Sequence, residues 1–316
     1  MLALRRALSE RGVLGINRRN ADYVSLWNSR RLFPLVDDKL ETKRLAIEAG
    51  MAVPELYGVL AEQHEIDELP RLLAGRDDFV LKPAHGSGGN GILVIAGSRG
   101  ERFRKSSGEL IEREELYHHV SNGLSGLYSL GGHRDRVMIE YRVRVDPLFE
   151  QITYKGVPDL RTIVFRGYPV MAMARLPTRA SDGKANLHQG AVGVGIDLAT
   201  GKTLGGVLGN EAVDEHPDTD HPLTGIEIPG WQDLLELAAR CYDITGLGYL
   251  GVDVVLDREH GPMILELNAR PGLNIQIANR QGLGARLERV ESGADGQADA
   301  RARVESVRGW FGAASA

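Results

Sequence analysis

Apolar positions along this chain follow two rhythms, one helical and one alternating. Residues 231–245 give the clearest helix, with Leu234, Leu235, Leu237, Ala238 and Tyr242 on one side. Residues 37–50 give another, with Leu40 and Ile47 on its stripe, Asp37 or Asp38 as cap and Gly50 as stop. A short helix is predicted over 65–73. Strands are predicted over 79–83, 91–96, 137–145, 250–256 and 263–267, and extended backbone over 190–203. Residues 160–178 read as a hairpin turning at Gly167 and Tyr168. Beyond about residue 286 the chain is rich in Ala, Gly, Arg and Glu, which predicts a frayed tail or one exposed helix near 304–311. Hairpins and separate helices together argue for an α+β fold rather than an alternating parallel sheet.

Composition narrows the class. The 316 residues suit one compound domain or two to three lobes. A net charge of -5 argues against a general nucleic-acid binder. The one cysteine, Cys241, sits in the apolar helical pattern, cannot form an internal disulfide and reads as a small buried hydrophobe. The start, Met1-Leu-Ala-Leu-Arg-Arg, lacks an apolar leader core, and no run of about 18 apolar residues occurs, so a cytoplasmic protein without a transmembrane segment is expected.

The last two strands carry the sharpest chemical signal. If their hairpin is symmetric about Arg258-Glu-His-Gly261, Asp257 pairs with Pro262 and Asp253 lies opposite Glu266. Carboxylates opposed on one sheet face repel each other. Asn268 shares the face of Glu266, two residues on. Two carboxylates and an amide oxygen suit a hard cation such as magnesium, which suits phosphate chemistry. Two other arrangements stay open: one carboxylate turned to solvent, or a proton shared by the pair. A one-residue slip would separate them.

His85-Gly-Ser-Gly-Gly-Asn-Gly91 contains the letters Gly-x-Gly-x-x-Gly, but a strand follows where a dinucleotide fold needs a helix. A glycine loop between strands resembles a flap over nucleotide phosphates, with Lys82 placed to touch one. A plain hairpin tip with a surface lysine is the alternative. Gly201-Lys-Thr203 is no P-loop, because Ile196 stands where that loop needs glycine. Arg161 and Arg175 fall nearly opposite each other on the 160–178 hairpin, which is unfavourable unless an anion lies between them. Asn186-Leu-His188, on a glycine-flanked polar loop, either lines a site or is simply solvated.

In order along the chain come Asp38-Lys39, Val80-Leu-Lys-Pro83 before the glycine loop, and Ile139-Glu-Tyr-Arg-Val143. Asp159-Leu-Arg161, Met173-Ala-Arg175, Asn186-Leu-His188, Gly251-Val-Asp253 and Leu265-Glu-Leu-Asn-Ala-Arg-Pro-Gly272 follow. As an ordered set these resemble the ATP-grasp superfamily, and within it the RimK-type α-L-glutamate ligases and their glutamate ligase-like bacterial relatives. The resemblance implies two α+β lobes sandwiching ATP. Residues 1–35 would form a reduced N-terminal region, 36–282 the ATP-grasp domain with its glycine-loop lobe at about 76–136, and 283–316 a tail.

The same resemblance implies roles. Lys39 and Lys82 would contact the ATP phosphates under the loop of His85, Gly86, Ser87, Gly88 and Gly89. Glu140, Tyr141 and Val143 would form the adenine hinge, and Asp146 or Glu150 would hold the ribose. Asp253, Glu266 and Asn268 would hold magnesium, with manganese as an alternative. Arg161 and Arg175, with Lys82, would stabilise the acyl phosphate and the transferred phosphoryl group. Asn186 and His188 would line the acceptor side, and Arg270 would bind a substrate carboxylate. The implied activity is ATP-dependent carboxylate–amine ligation through an acyl phosphate, on glutamate, another amino acid or a peptide. An ATP-binding regulatory or scaffold protein, or a phosphotransferase forming no amide, is the alternative. Such ligases usually carry a full α/β domain ahead of the nucleotide lobes. Here the polar cluster Gly15-Ile-Asn-Arg-Arg-Asn20 would replace part of it, or a partner protein or second copy would complete the surface.

Overall fold

The computed structural model describes residues 7–8, 10–86, 88–100, 102–129 and 131–311. The chain divides into two compact units. The smaller comprises residues 38–43 and 53–144, and the larger takes the rest of the described chain. Every pairing between named strands is antiparallel.

The smaller unit begins with the first turn of α1 (Lys39–Glu48). Its sheet holds β1 (Leu56–Leu60), β2 (Phe79–Pro83), β3 (Leu93–Arg99), β4 (Arg102–Lys105), β5 (Leu110–Ile111) and β6 (Val137–Glu140), in the order β1-β6-β2-β3-β4-β5. Alternation decides the two faces. Phe79 and Leu81 of β2 and Val137 and Ile139 of β6 turn into a core closed by α2 (Arg113–Leu124), whose Leu116, Val120 and Leu124 recur every four residues. Lys82 and Glu140 fall on the opposite face of the same strands. The strand predicted over 137–145 stops at Glu140.

The larger unit is built on β7 (Asp159–Phe165), β8 (Tyr168–Leu176), β9 (Val192–Ile196), β10 (Lys202–Leu208), β11 (Glu211–Val213), β12 (Thr224–Glu227), β13 (Tyr249–Asp257) and β14 (Gly261–Asn268). Their order is β11-β10-β9-β8-β7-β13-β14, with β12 paired to β10. All nine residues of β13 are buried, as a central strand covered on both faces should be. The helix α3 (Trp231–Thr245) follows the predicted bounds, ends at Gly246 in the left-handed region, and packs its apolar side on β7, β8, β13 and β14.

The tail corrects the sequence expectation. It holds two helices, α4 (Gly284–Gly293) and α5 (Ala300–Phe311), and α5 is docked rather than exposed. Val304 and Val307 are fully buried, Arg303 grips both carboxylate oxygens of Asp243, and Trp310 stacks on Tyr168 at 5.4 Å. A short amphipathic repeat shows no partner in one dimension, so burial was invisible until α3 and β8 were in place.

Before α1 the larger unit runs through helical turns at Ile16–Arg18, Arg19–Val24, Ser25–Trp27, Arg30–Leu32 and Pro34–Asp37, the second of them π-helical. Tyr23 is buried edge-on to Phe165 at 5.4 Å. Asn28 works as a clamp: its amide nitrogen donates to the carbonyls of Tyr249 and Ala269, and its oxygen accepts from Tyr249 N–H. One side chain thereby fixes this segment to both β13 and the end of β14. Among the described residues no helix is long and apolar enough to cross a membrane.

Candidate active site

The two carboxylates expected to face each other do so, but by a different register. Asp257 pairs with Gly261, not Pro262, and this offset runs to Val254 opposite Ile264. A bulge then leaves Leu265 unpaired and brings Asp253 opposite Glu266 and Gly251 opposite Asn268. The extra residue restores the pairing that a symmetric turn was expected to give, and bulges of this kind re-aim side chains beside functional sites. Gly251 is required here, since a Cβ would stand 2.6 Å from Cβ of Pro271.

The arginines are placed otherwise than expected. Arg161 pairs with Met173 and Arg175 with Asp159, so the two arginines are diagonal, not opposed. Their anions come from the protein itself. Arg161 donates from Nε to Asp253 Oδ1 at 2.6 Å and from Nη2 to the other oxygen. Arg175 holds Asp159 through two hydrogen bonds of 2.5 Å and reaches Asp253 Oδ2 at 2.9 Å. Burial alone would raise Asp253, but the two guanidiniums outweigh it and hold the acid below its ordinary value. Asp159 has one guanidinium, which it shares. Burial therefore prevails, aided by the nearby charge of Asp253, and pushes it up to about 6. Sequence reasoning gave Asp159 no role. Its alternation with Arg161 on β7 was the available signal.

Asn268 donates from Nδ2 to Asp253 Oδ2 at 3.3 Å, so its amide oxygen is the atom left for a cation. Among the described residues no group of three or more His, Cys, Asp or Glu could hold a metal ion. Magnesium takes one or two carboxylates and completes its shell with water and substrate phosphates. The oxygens of Asp253, Glu266 and Asn268 are hard donors, the type that ion takes, although both Asp253 oxygens already accept from guanidiniums.

In the smaller unit Lys82 and Glu140 are bound to each other. Glu140 is 3% exposed and lies 2.5 Å from Lys82 Nζ and 3.0 Å from Lys43 Nζ. Burial opposes its ionisation, but the two ammonium groups hold it below the usual carboxylate range. Burial lowers Lys43, offset in part by Glu140. Burial of Lys82 rules out the alternative of a surface lysine at a plain hairpin tip, and Lys43, one helical turn after Lys39, escaped the sequence reading.

The glycine loop is fixed at its base. Lys39 Nζ bonds the Gly86 carbonyl, and Lys39 N–H bonds the carbonyl of Ala84 at 3.1 Å. Asp135 accepts from the His85 backbone at 3.0 Å, lies 2.7 Å from the His85 ring Nδ1, and accepts from Ser129 Oγ at 2.5 Å. Burial would raise Asp135, but these hydrogen bonds outweigh it and hold the acid below its ordinary value. Gly88 and Gly89 take positive φ of 63° and 79°, open to glycine at little cost. Ser87 lies outside the described residues. Tyr141 N–H bonds the Glu55 carbonyl at 2.8 Å, and Val143 is buried.

The remaining candidates all belong to the larger unit. Asp146 caps the turn Pro147–Ile152 by accepting from Leu148 N–H at 2.9 Å, while exposed Glu150 pairs with Arg258 at 2.8 Å. Asn186 caps Leu187–Gln189, and His188 beside it is exposed. Arg270 lies over the Phe33 ring, 4.7 Å from its centroid.

The family model for sugar-transfer associated ATP-grasp proteins matches residues 18–292. The chain belongs to that family. This bears out the superfamily read from the ordered motifs and the α+β ATP-grasp fold. A protein named probable alpha-L-glutamate ligase from Maridesulfovibrio salexigens is 22% identical over 236 residues, 75% of this chain and 56% of that one. Its namesake from Thioalkalivibrio sulfidiphilus is 23% identical over 253 residues, 79% and 61% respectively. This ATP-grasp chain therefore spans little more than half the length of these relatives. Among solved structures, the biotin carboxylase domain of the Hydrogenobacter thermophilus 2-oxoglutarate carboxylase, in complex with MgADP and bicarbonate, has a TM-score of 0.50 at 14% identity. The match covers 85% of this chain and 48% of that one and bears on the fold alone.

Proposed function

We propose that this family member is an ATP-dependent carboxylate–amine ligase working through an acyl phosphate. The observation that carries the reading is the cluster on β7, β8, β13 and β14, where Asp253 faces Glu266, Asn268 adjoins, and Arg161 and Arg175 converge on Asp253. Such a cluster stabilises charge on a transferring phosphoryl group without a Ser, Cys or His nucleophile. The names of the curated relatives support an amino-acid or peptide substrate, and the family description supports a setting near sugar transfer.

Glu266, the Asn268 oxygen and Asp253 are assigned to magnesium, with manganese as an alternative. When bound, the ion supplies Lewis acidity toward phosphate oxygens. Arg161 and Arg175 are held rigid by Asp253 and Asp159, so their free N–H edges are already oriented toward a phosphoryl or acyl-phosphate oxygen. A substrate carboxylate oxygen attacks the terminal phosphorus of ATP and ADP leaves. The amine then attacks the acyl carbon, phosphate leaves and the nitrogen loses a proton. Lys39, Lys82 and the loop of His85 to Gly89 are assigned to the nucleotide phosphates, and His85, oriented by Asp135, presents its outer nitrogen there. Tyr141 and Val143, with Glu140, are assigned to the adenine, and Asp146 or Glu150 to the ribose. Asn186 and His188 are assigned to the acceptor.

The test is ADP release from purified protein with ATP, magnesium and panels of amino acids and peptides, with amide formation followed by mass spectrometry. Acceptor-dependent ADP release with a new amide is the expected result. ATP binding without either product across the panels would overturn the ligase reading in favour of a regulatory protein, and a phosphorylated product without amide would indicate a phosphotransferase.

A further inference from the structure

A cavity of about 500 Å³ opens in the larger unit, walled by the N-terminal turns and by Arg270 just past β14. Three arginines, Arg19, Arg30 and Arg270, line it together with Asn28 and Phe33, and no Asp or Glu does. Among the described residues none of the three arginines has a carboxylate partner. Converging guanidinium groups repel one another unless an anion joins them.

Arg19 shows the cost most clearly. It is 6% exposed on the π-helical turn Arg19–Val24, a distortion that recurs at functional sites. Its Nη1 donates to the Pro271 carbonyl at 2.7 Å, but its Nε is buried without a partner. Burial lowers its pKa, Tyr249 offsets this in part, and neighbouring Arg270 lowers it further. A cation kept there without a counter-charge is unfavourable in isolation. Arg270 is held differently. Its guanidinium lies over the ring of Phe33 and forms no hydrogen bond among the described residues, so the edges of its fork are uncommitted. The pocket is joined to the proposed phosphoryl-transfer strand at two points: Arg270 follows Asn268 by two residues, and the next residue, Pro271, accepts from Arg19 through its carbonyl.

We propose that this pocket binds a doubly charged anionic group of the substrate, a phosphate monoester or a dicarboxylate, and so selects the ligase's substrate class. The inference rests on the ligase reading. Three guanidiniums match a dianion better than a single carboxylate, and Phe33 offers an apolar wall to the carbon skeleton beside it.

The test is calorimetric titration of the full chain with inorganic phosphate, glycerol 3-phosphate and glutarate, alongside MgADP. Saturable binding of at least one probe is expected, weakened about tenfold or more in Arg270→Ala and in Arg19→Lys, with MgADP affinity unchanged. Preference for the phosphates assigns a phosphorylated substrate, and preference for glutarate a dicarboxylate. Arg270→Ala removes an exposed side chain that forms no hydrogen bond among the described residues, so it decides the matter if Arg19→Lys fails to fold. Probes that do not bind while MgADP does, or binding equal in wild type and Arg270→Ala, would overturn the pocket and leave the ligase reading standing. Probe binding with no MgADP binding would sink the ligase reading instead.

Discussion

Arg161 holds Asp253 with both arms of its guanidinium, and Arg175 reaches the same carboxylate at 2.9 Å. One buried acid thus serves two half-buried arginines, the second of which also holds Asp159. Asp253→Ala would leave both without it. Loss of one partner from such a network costs about 3–5 kcal/mol. Asp253→Ala is therefore expected to lower the urea midpoint sharply as well as to abolish turnover. A midpoint within error of wild type would contradict the shared-carboxylate geometry.

Glu266 gives the cleaner test of the metal assignment, because Asp253 keeps its arginines when Glu266 changes. Glu266→Gln keeps the shape and removes the charge. ADP release is expected to fall about 100-fold, with a raised magnesium requirement. Titrating magnesium against initial rate checks it, and wild-type rates at low magnesium would exclude Glu266 from the ion.

Glu140 sets a pH dependence. Its folded value lies below its ordinary 4.5, so its pairing with Lys82 and Lys43 stabilises the fold above that pH and is lost as pH falls through the folded value. Glu140→Gln should lose stability at neutral pH, by about 3 kcal/mol or more, and show a shallower decline below pH 4.5 than wild type. Urea midpoints across the acid range provide the comparison, and parallel curves would refute the assignment.

Two residues let the N-terminal turns and the end of β14 pack on β13, one by its hydrogen bonds and one by having no side chain. Asn28→Ala removes three buried hydrogen bonds to backbone groups of Tyr249 and Ala269, for an expected loss of about 2–4 kcal/mol. Gly251→Ala drives a methyl group to 2.6 Å from Pro271, for an expected loss of about 1–3 kcal/mol. Thermal melts of both variants check these values.

The sequence by itself determined what depends on period and local chemistry. Alternation marked β13 and β14 and put Asp253, Glu266 and Asn268 on one face. Helical spacing gave α3 to the residue, and glycines between two strands marked the loop after Lys82. Motif order across the chain was enough to indicate the superfamily. Tertiary structure decided the partners. Arg161 meets Asp253 across 92 residues and Arg19 meets Pro271 across 252, separations at which no spacing rule operates. A bulge at Leu265, which no turn residue announces, set the register of the carboxylates. Lys82 was legible as a lysine beside a glycine loop, but its burial with Glu140 and Lys43 followed from which face of the sheet was covered. Local propensity fixes the direction in which a side chain leaves its own element. Only packing fixes what it finds there.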